Sequence, residues 1–152
     1  MSQVAVEGTP ARSVRRPVHL WVVGILALLW NSVGAFDYLA TQLRLELYMS
    51  QFTDQQLAYF YGFPAWVVAA WAFGVWGAFA GSVGLLLARA WSVWMFAISI
   101  AGLAVSTIYN FGLSSGAEMM GATGVVMTAV IWLIALALLA YSVQQKNRGV
   151  LV

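Results

Sequence analysis

Four stretches of this chain, 20–36, 55–88, 90–117 and 119–145, contain no charged residue at all. The hydrocarbon core of a bilayer takes about 20 apolar residues in helical form. The pattern therefore predicts four membrane-spanning helices, near 18–40, 64–88, 91–112 and 117–143. Pro64 suits the first turn of the second helix, where a missing N–H leaves nothing unpaired. Ser115 followed by Glu118 has the spacing of a capping box opening the fourth helix. Arg89 stands alone between the second and third helices, which predicts a turn of one or two residues and a tight antiparallel hairpin. The expected fold is all-α: an integral membrane four-helix bundle over 17–145.

Between the first two spans, residues 41–63 form the one sizeable loop. Thr53 and Gln56 repeat the capping-box spacing and lead into Leu57–Tyr61, which predicts a short helix lying at the membrane surface. Tyr48, Phe52, Tyr59, Phe60 and Tyr61 agree with the interfacial preference of aromatic rings. Residues 1–16 lack periodicity and contain Gly8 and Pro10, which predicts a disordered tail; 146–152 reads as a second tail. The Arg15-Arg16 pair ahead of an apolar run resembles a twin-arginine signal. The run is as long as a spanning helix, so a retained anchor is expected.

Composition agrees with lipid as the solvent. Of 152 residues, 62% are hydrophobic and 8% charged, with a mean hydropathy of +0.85. A soluble domain carries about 25% charged residues, so this chain cannot clothe a core in a water-facing shell. The net charge of +2 comes without a basic face, which excludes a nucleic-acid footprint. With no cysteine, disulfides and Cys-ligated clusters are excluded. With His19 as the single histidine, so are bis-histidine haem and His-rich metal sites. No cofactor and no metal are expected, and His19, at the mouth of the first span, reads as an interfacial residue.

The cations give an orientation. Arg12, Arg15 and Arg16 precede the first span, Arg89 lies between the second and third, and Lys146 and Arg148 follow the fourth. Arg44 alone falls on the other side, where Asp37, Glu46, Asp54 and Glu118 gather. The positive-inside bias places both termini in the cytoplasm. The expected location is the inner membrane of a bacterium, with the long loop outside.

Two sets of residues could carry more than the fold. Ala70, Gly74, Ala78 and Ser82 recur at four-residue spacing on the second helix, with Gly77 and Gly81 on the adjoining line. Small residues at this period let another helix approach closely, either within the chain or from a second subunit. Gly102, Ser106 and Asn110 repeat the device on the third helix, and Gly124 and Thr128 on the fourth. The second set is polar. An ionisable or amide side chain in a span is costly and ordinarily finds a partner inside the bundle. At about 1.5 Å per residue, Asn31 falls in the outer half of the bilayer, Asp37 and Asn110 reach its outer boundary, and Glu118 begins the fourth helix there. Tyr38, Tyr109 and Trp66 flank them. Two readings stand: an outward-facing small-molecule site, or structural groups, with Asp37 paired to Arg44 and Glu118 capping its helix. The deeper tryptophans, Trp30, Trp71, Trp76 and Trp132, read as packing or as stacking surfaces.

Three strings are informative together: Leu29-Trp30-Asn31-Ser32-Val33-Gly34-Ala35-Phe36-Asp37-Tyr38, Tyr61-Gly62-Phe63-Pro64-Ala65-Trp66 and Val126-Met127-Thr128-Ala129-Val130-Ile131. Over roughly 18–150 the chain resembles a group of small bacterial four-helix membrane proteins commonly labelled sugar transporters. The resemblance implies a carrier or binder of a small, sugar-like solute. Four short helices rarely enclose a path of that size, so an oligomer is implied too. Other small four-helix families, the eicosanoid and glutathione enzymes, carry intramembrane arginines that this chain lacks. No nucleophile–base pair, metal cluster or phosphate loop is visible, so no enzyme is expected. The rival expectation is a non-catalytic accessory subunit whose small-residue face packs on a larger membrane complex.

Overall fold

The computed structural model describes residues 16–152. The tail expected over 1–16 lies outside them except for Arg16, as do Arg12 and Arg15. The described residues are helical throughout, without strands: α1 (Val18–Gln42), α2 (Glu46–Met49), α3 (Asp54–Tyr61), α4 (Ala65–Leu86), α5 (Ser92–Ile108) and α6 (Gly116–Asn147). A single π-helical turn, Tyr109–Leu113, prolongs α5. Four helices, counting α5 with its π-turn, are long and apolar enough to cross a membrane. They alternate in direction. One end of the bundle therefore holds α2, α3 and the α5–α6 connection (the loop end), and the other holds the α4–α5 turn (the turn end).

Packing follows chain order. α4 lies between α1 and α5, and α6 rests on α5. Small residues make the central pairings close. A Cβ built on Gly77 would lie 2.9 Å from the Met95 carbonyl oxygen and 3.0 Å from the Ser99 nitrogen, and one on Gly102 would collide with the Ala70 carbonyl and the backbone of Gly74. Ser99 Oγ donates to the Gly74 carbonyl at 2.5 Å, and a Cβ on Gly81 would lie 2.9 Å from the Phe96 ring. Of the candidate interface residues, Ala70, Gly74, Gly77 and Gly81 thus face α5 of the same chain. Ser82 turns instead to α1: its hydroxyl accepts from Asn31 Nδ2 at 2.9 Å and donates to the Ala78 carbonyl. Five of the six candidate residues thus have neighbours on α5 or α1 of the same chain.

The aliphatic core gathers at the turn end, around Leu20, Ala27, Leu85, Ala88, Phe96, Leu138 and Leu151. Several expectations are corrected there. The α4–α5 connection is longer than one or two residues, because Ala88 must enter the left-handed region (φ 54°) to reverse the chain. Residues 146–152 do not form a plain tail. α6 runs to Asn147, Gly149 turns the chain at φ 71°, and Val150–Val152 return beneath the turn. There the Ala90 N–H donates to the Val152 carbonyl at 2.9 Å and the Val152 N–H to the Ala88 carbonyl at 3.0 Å. Burial of Leu151, 3% exposed, accounts for the return.

Helix starts differ too. Pro64 is the N-cap of α4 rather than a member of its first turn. The Thr53–Gln56 capping box forms with both of its bonds. The Ser115–Glu118 box does not: Ser115 sits at φ −85°, ψ 26°, outside the extended cap geometry, and its side chain makes no cap bond. α6 is also broken, by Gly121 at φ 62°, ψ −170°, a conformation that only glycine adopts readily.

Candidate functional site at the loop end

The polar residues of the loop end are distributed over three separate partnerships. Asn31 reaches Ser82, deeper between α1 and α4. Asp37 Oδ1 accepts the Tyr48 hydroxyl at 2.7 Å, which ties α1 to α2. Asn110, on the π-turn, accepts the Tyr59 hydroxyl at 2.7 Å through Oδ1 and donates through Nδ2 to the Ser106 carbonyl. The Tyr59 oxygen is also 2.7 Å from Ser114 Oγ. Glu118 is exposed. Arg44 does not pair with Asp37. Its backbone is left-handed at φ 51°, and its guanidinium lies 4.3 Å from the centre of the Tyr61 ring, where cation–π attraction operates.

Aromatic rings, rather than hydrogen bonds, join the Tyr48 and Tyr59 partnerships; the Asn31–Ser82 pair stands apart. Tyr38 meets Trp71 edge to face at 5.1 Å, Trp71 meets Phe63 at 6.3 Å, and Phe63 meets both Tyr59 (5.1 Å) and Tyr109 (5.6 Å). Tyr109 packs on Trp66 at 5.5 Å. A second arm runs Phe36, Tyr48, Phe52, Phe60 and closes again on Tyr59 and Phe63. Tyr38, Tyr109 and Trp66 therefore belong to one lattice, with Phe63 at its hub. Edge-to-face pairs contribute about 0.5–1.5 kcal/mol each beyond buried area, so the lattice helps to fix α3, which buries no residue, while α2 also buries Met49.

Two phenols are held in their neutral form. Burial pushes the Tyr48 hydroxyl up to about 12, and the hydrogen bond and negative charge of Asp37 act in the same direction. Tyr59 is raised as well, chiefly by burial, with Tyr109 adding and the Ser114 bond opposing. At neutral pH both are donors. The loop end can offer ring faces and edges, half-exposed at Trp66 (51%) and Phe36 (52%), beside hydroxyl and amide groups. Among the described residues no three His, Cys, Asp or Glu side chains lie close enough to hold a metal ion.

Sequence reasoning placed Asp37, Asn110, Tyr38, Tyr109 and Trp66 at this end; it offered Arg44 as a partner for Asp37, where the structure has Tyr48, and named none for the others. Tyr48 and Tyr59 read only as interfacial aromatics, and Gln56 only as a cap. Gln56 does more: while Oε1 accepts from the Thr53 N–H at 3.1 Å, Nε2 donates to the Met119 carbonyl of α6 at 3.0 Å. A capping glutamine keeps a free amide donor, and that was the available signal. His19 bonds the Tyr141 hydroxyl between α1 and α6, and Trp132 Nε1 donates to Thr107 Oγ1 at 3.0 Å between α6 and α5. No protein-family model, curated protein or solved structure matches this chain.

Proposed function

We propose that this chain is a multi-pass membrane protein of a bacterial inner membrane, with both termini cytoplasmic, that binds or carries a small, neutral, sugar-like solute from its outer face and works as an oligomer. The observation that carries the reading is the loop-end lattice, where ring surfaces and paired phenols stand together over the mouth of the bundle. Aromatic lining with a few placed polar groups is the composition of small-molecule sites. The charge distribution supports the orientation: Arg16, Arg89, Lys146 and Arg148 lie at the turn end and Arg44 at the loop end. The resemblance of 18–150 to proteins labelled sugar transporters points to the same solute class.

Two measurements test it. A panel of pentoses and hexoses is titrated against the purified protein by thermal melting, where a ligand that binds the folded state raises Tm with its concentration. At least one sugar is expected to do so, and Trp66→Ala to abolish the shift while leaving the unliganded melt within a few degrees. A panel without any shift sinks the solute reading. Orientation is tested with single cysteines at Ser50 and Asn147, both exposed, and an impermeant thiol reagent on spheroplasts. Labelling is expected at position 50 only, and labelling at 147 alone reverses the topology.

A second reading, an accessory subunit of a larger complex, has its own observation. The outer half of α6 is hardly covered: Val125, Val126, Met127, Ile131 and Leu133 are all exposed. Mass measurement after purification in mild detergent separates the two. A homogeneous oligomer supports the carrier, and stoichiometric recovery with other chains supports the accessory subunit.

A further inference from the structure

Three independent features converge at the loop end of the α5–α6 pairing. First, this pairing is the loosest of the three between neighbouring long helices. Second, both helices lose regular α geometry at its mouth, α5 in the π-turn Tyr109–Leu113 and α6 at Gly121. Gly121 is exposed, and an added Cβ there would meet nothing within 4 Å. Third, both irregular segments are tied to one short helix, α3. Tyr59 bonds Asn110 and Ser114 on the α5 side, and its hydroxyl also sits against Gly116, where a Cβ would come within 2.6 Å of it. One turn away on α3, Gln56 holds the Met119 carbonyl two residues before the Gly121 break. Below this mouth the seam is lined by Thr107 and Trp132, bonded to each other, and by Thr128, one turn from Trp132 on the same face of α6.

We propose that α3 is a strap across the outer mouth of the α5–α6 seam, and that release of Tyr59 and Gln56 lets the 109–121 segment swing on the π-turn and Gly121 and open the seam. Irregular helical turns of this kind recur at functional hinges. The strap resists opening through side-chain hydrogen bonds, which exchange with water at little net cost, instead of buried aliphatic surface. The inference deepens the solute reading by naming an entrance, and it rests on that reading only for what passes through.

The chain has no cysteine, so Thr128→Cys provides a single reporter within the seam, and Ser99→Cys one in the close-packed α4–α5 interface. Labelling rates are measured on purified, detergent-solubilised protein with a small thiol reagent. Tyr59→Phe removes both phenol bonds. Gln56→Glu keeps the acceptor for the Thr53 cap but lacks the donor to Met119. Each is expected to speed labelling at position 128 by roughly tenfold, the scale set by loss of one part-buried hydrogen-bonded tie, while position 99 stays slow. Unchanged labelling at 128 in both variants overturns the strap, and equal acceleration at 128 and 99 overturns it as well, since that is general loosening. Should Tyr59→Phe fail to fold, Gln56→Glu carries the test alone. Sugar-induced stabilisation with unresponsive labelling leaves the solute reading standing without the strap. Responsive labelling without any bound sugar does the reverse.

Discussion

The two ends of the bundle are held together by different physics. At the turn end, Leu20, Leu85, Ala88, Phe96 and Leu151 are at most 3% exposed, and the chain returns on itself to complete their cover. At the loop end Ala40, Met49 and Val67 are buried too, but no residue of α3 is, and α3 is held by edge-to-face rings and by side-chain hydrogen bonds at Tyr59 and Gln56. Close packing is bistable at best and tolerates little adjustment. Rings and hydrogen bonds can be exchanged for water or ligand groups at small net cost. Close packing is thus densest along the α4–α5 contact and at the turn end, and the proposed strap lies at the opposite end.

Substitutions can break this contrast. The largest effect is expected from Gly102→Leu, because a Cβ there strikes backbone on α4, which cannot move aside as a side chain would. Overpacking ordinarily costs about 1–3 kcal/mol, and this case belongs at or above the upper end. The check is loss of a cooperative melt in detergent. Phe96→Ala, in the turn-end core at 2% exposure, follows at about 3 kcal/mol, and its Tm falls whether or not a sugar is present. Tyr48→Phe is expected to cost less, about 1–3 kcal/mol for leaving the Asp37 carboxylate without its donor. Its loss should be confined to the loop end and detected as faster proteolysis within 41–63.

The smallest effect is one of pH. The folded Tyr48 phenol titrates near 12 against about 10 when unfolded. Its bond to Asp37 therefore contributes in full below about pH 10 and is lost as pH rises through about 12. Loop-end protection should be flat from pH 7 to 9 and fall between roughly 10 and 12. In Tyr48→Phe that step should shrink, while the turn end shows no step assigned to this residue.

How far the sequence could be read also differs between the ends. All four long helices were legible, since uncharged runs of this length have few other structures open to them, and the Thr53–Gln56 cap was legible from spacing alone. The Asn31, Asp37 and Asn110 side chains were recognisable as groups needing partners. Which partners they take was not, because Ser82, Tyr48 and Tyr59 are brought to them by tertiary packing. Depth along a helix suggested one cluster. Rotation about the axis separates Asn31 from Asp37, six residues apart and so on different faces, and the aromatic lattice links only the partners of Asp37 and Asn110. The π-turn carries no pattern distinct from ordinary helix, and Gly121 looks like the other small residues of α6. The return of 150–152 was invisible because three apolar residues after Lys146 and Arg148 resemble any short tail until the hollow that receives Leu151 is known.

Hydrogen exchange of backbone amides in the detergent-solubilised protein tests the division between the two ends most directly. Amides of α4 and α5 between 77 and 100 should exchange only with global unfolding. Those of 54–61 and 109–121 should exchange at least tenfold faster, through a local opening that Tyr59→Phe accelerates without changing the slow set. Uniform protection along all four long helices, or a loop end slower than the turn end, would contradict the account.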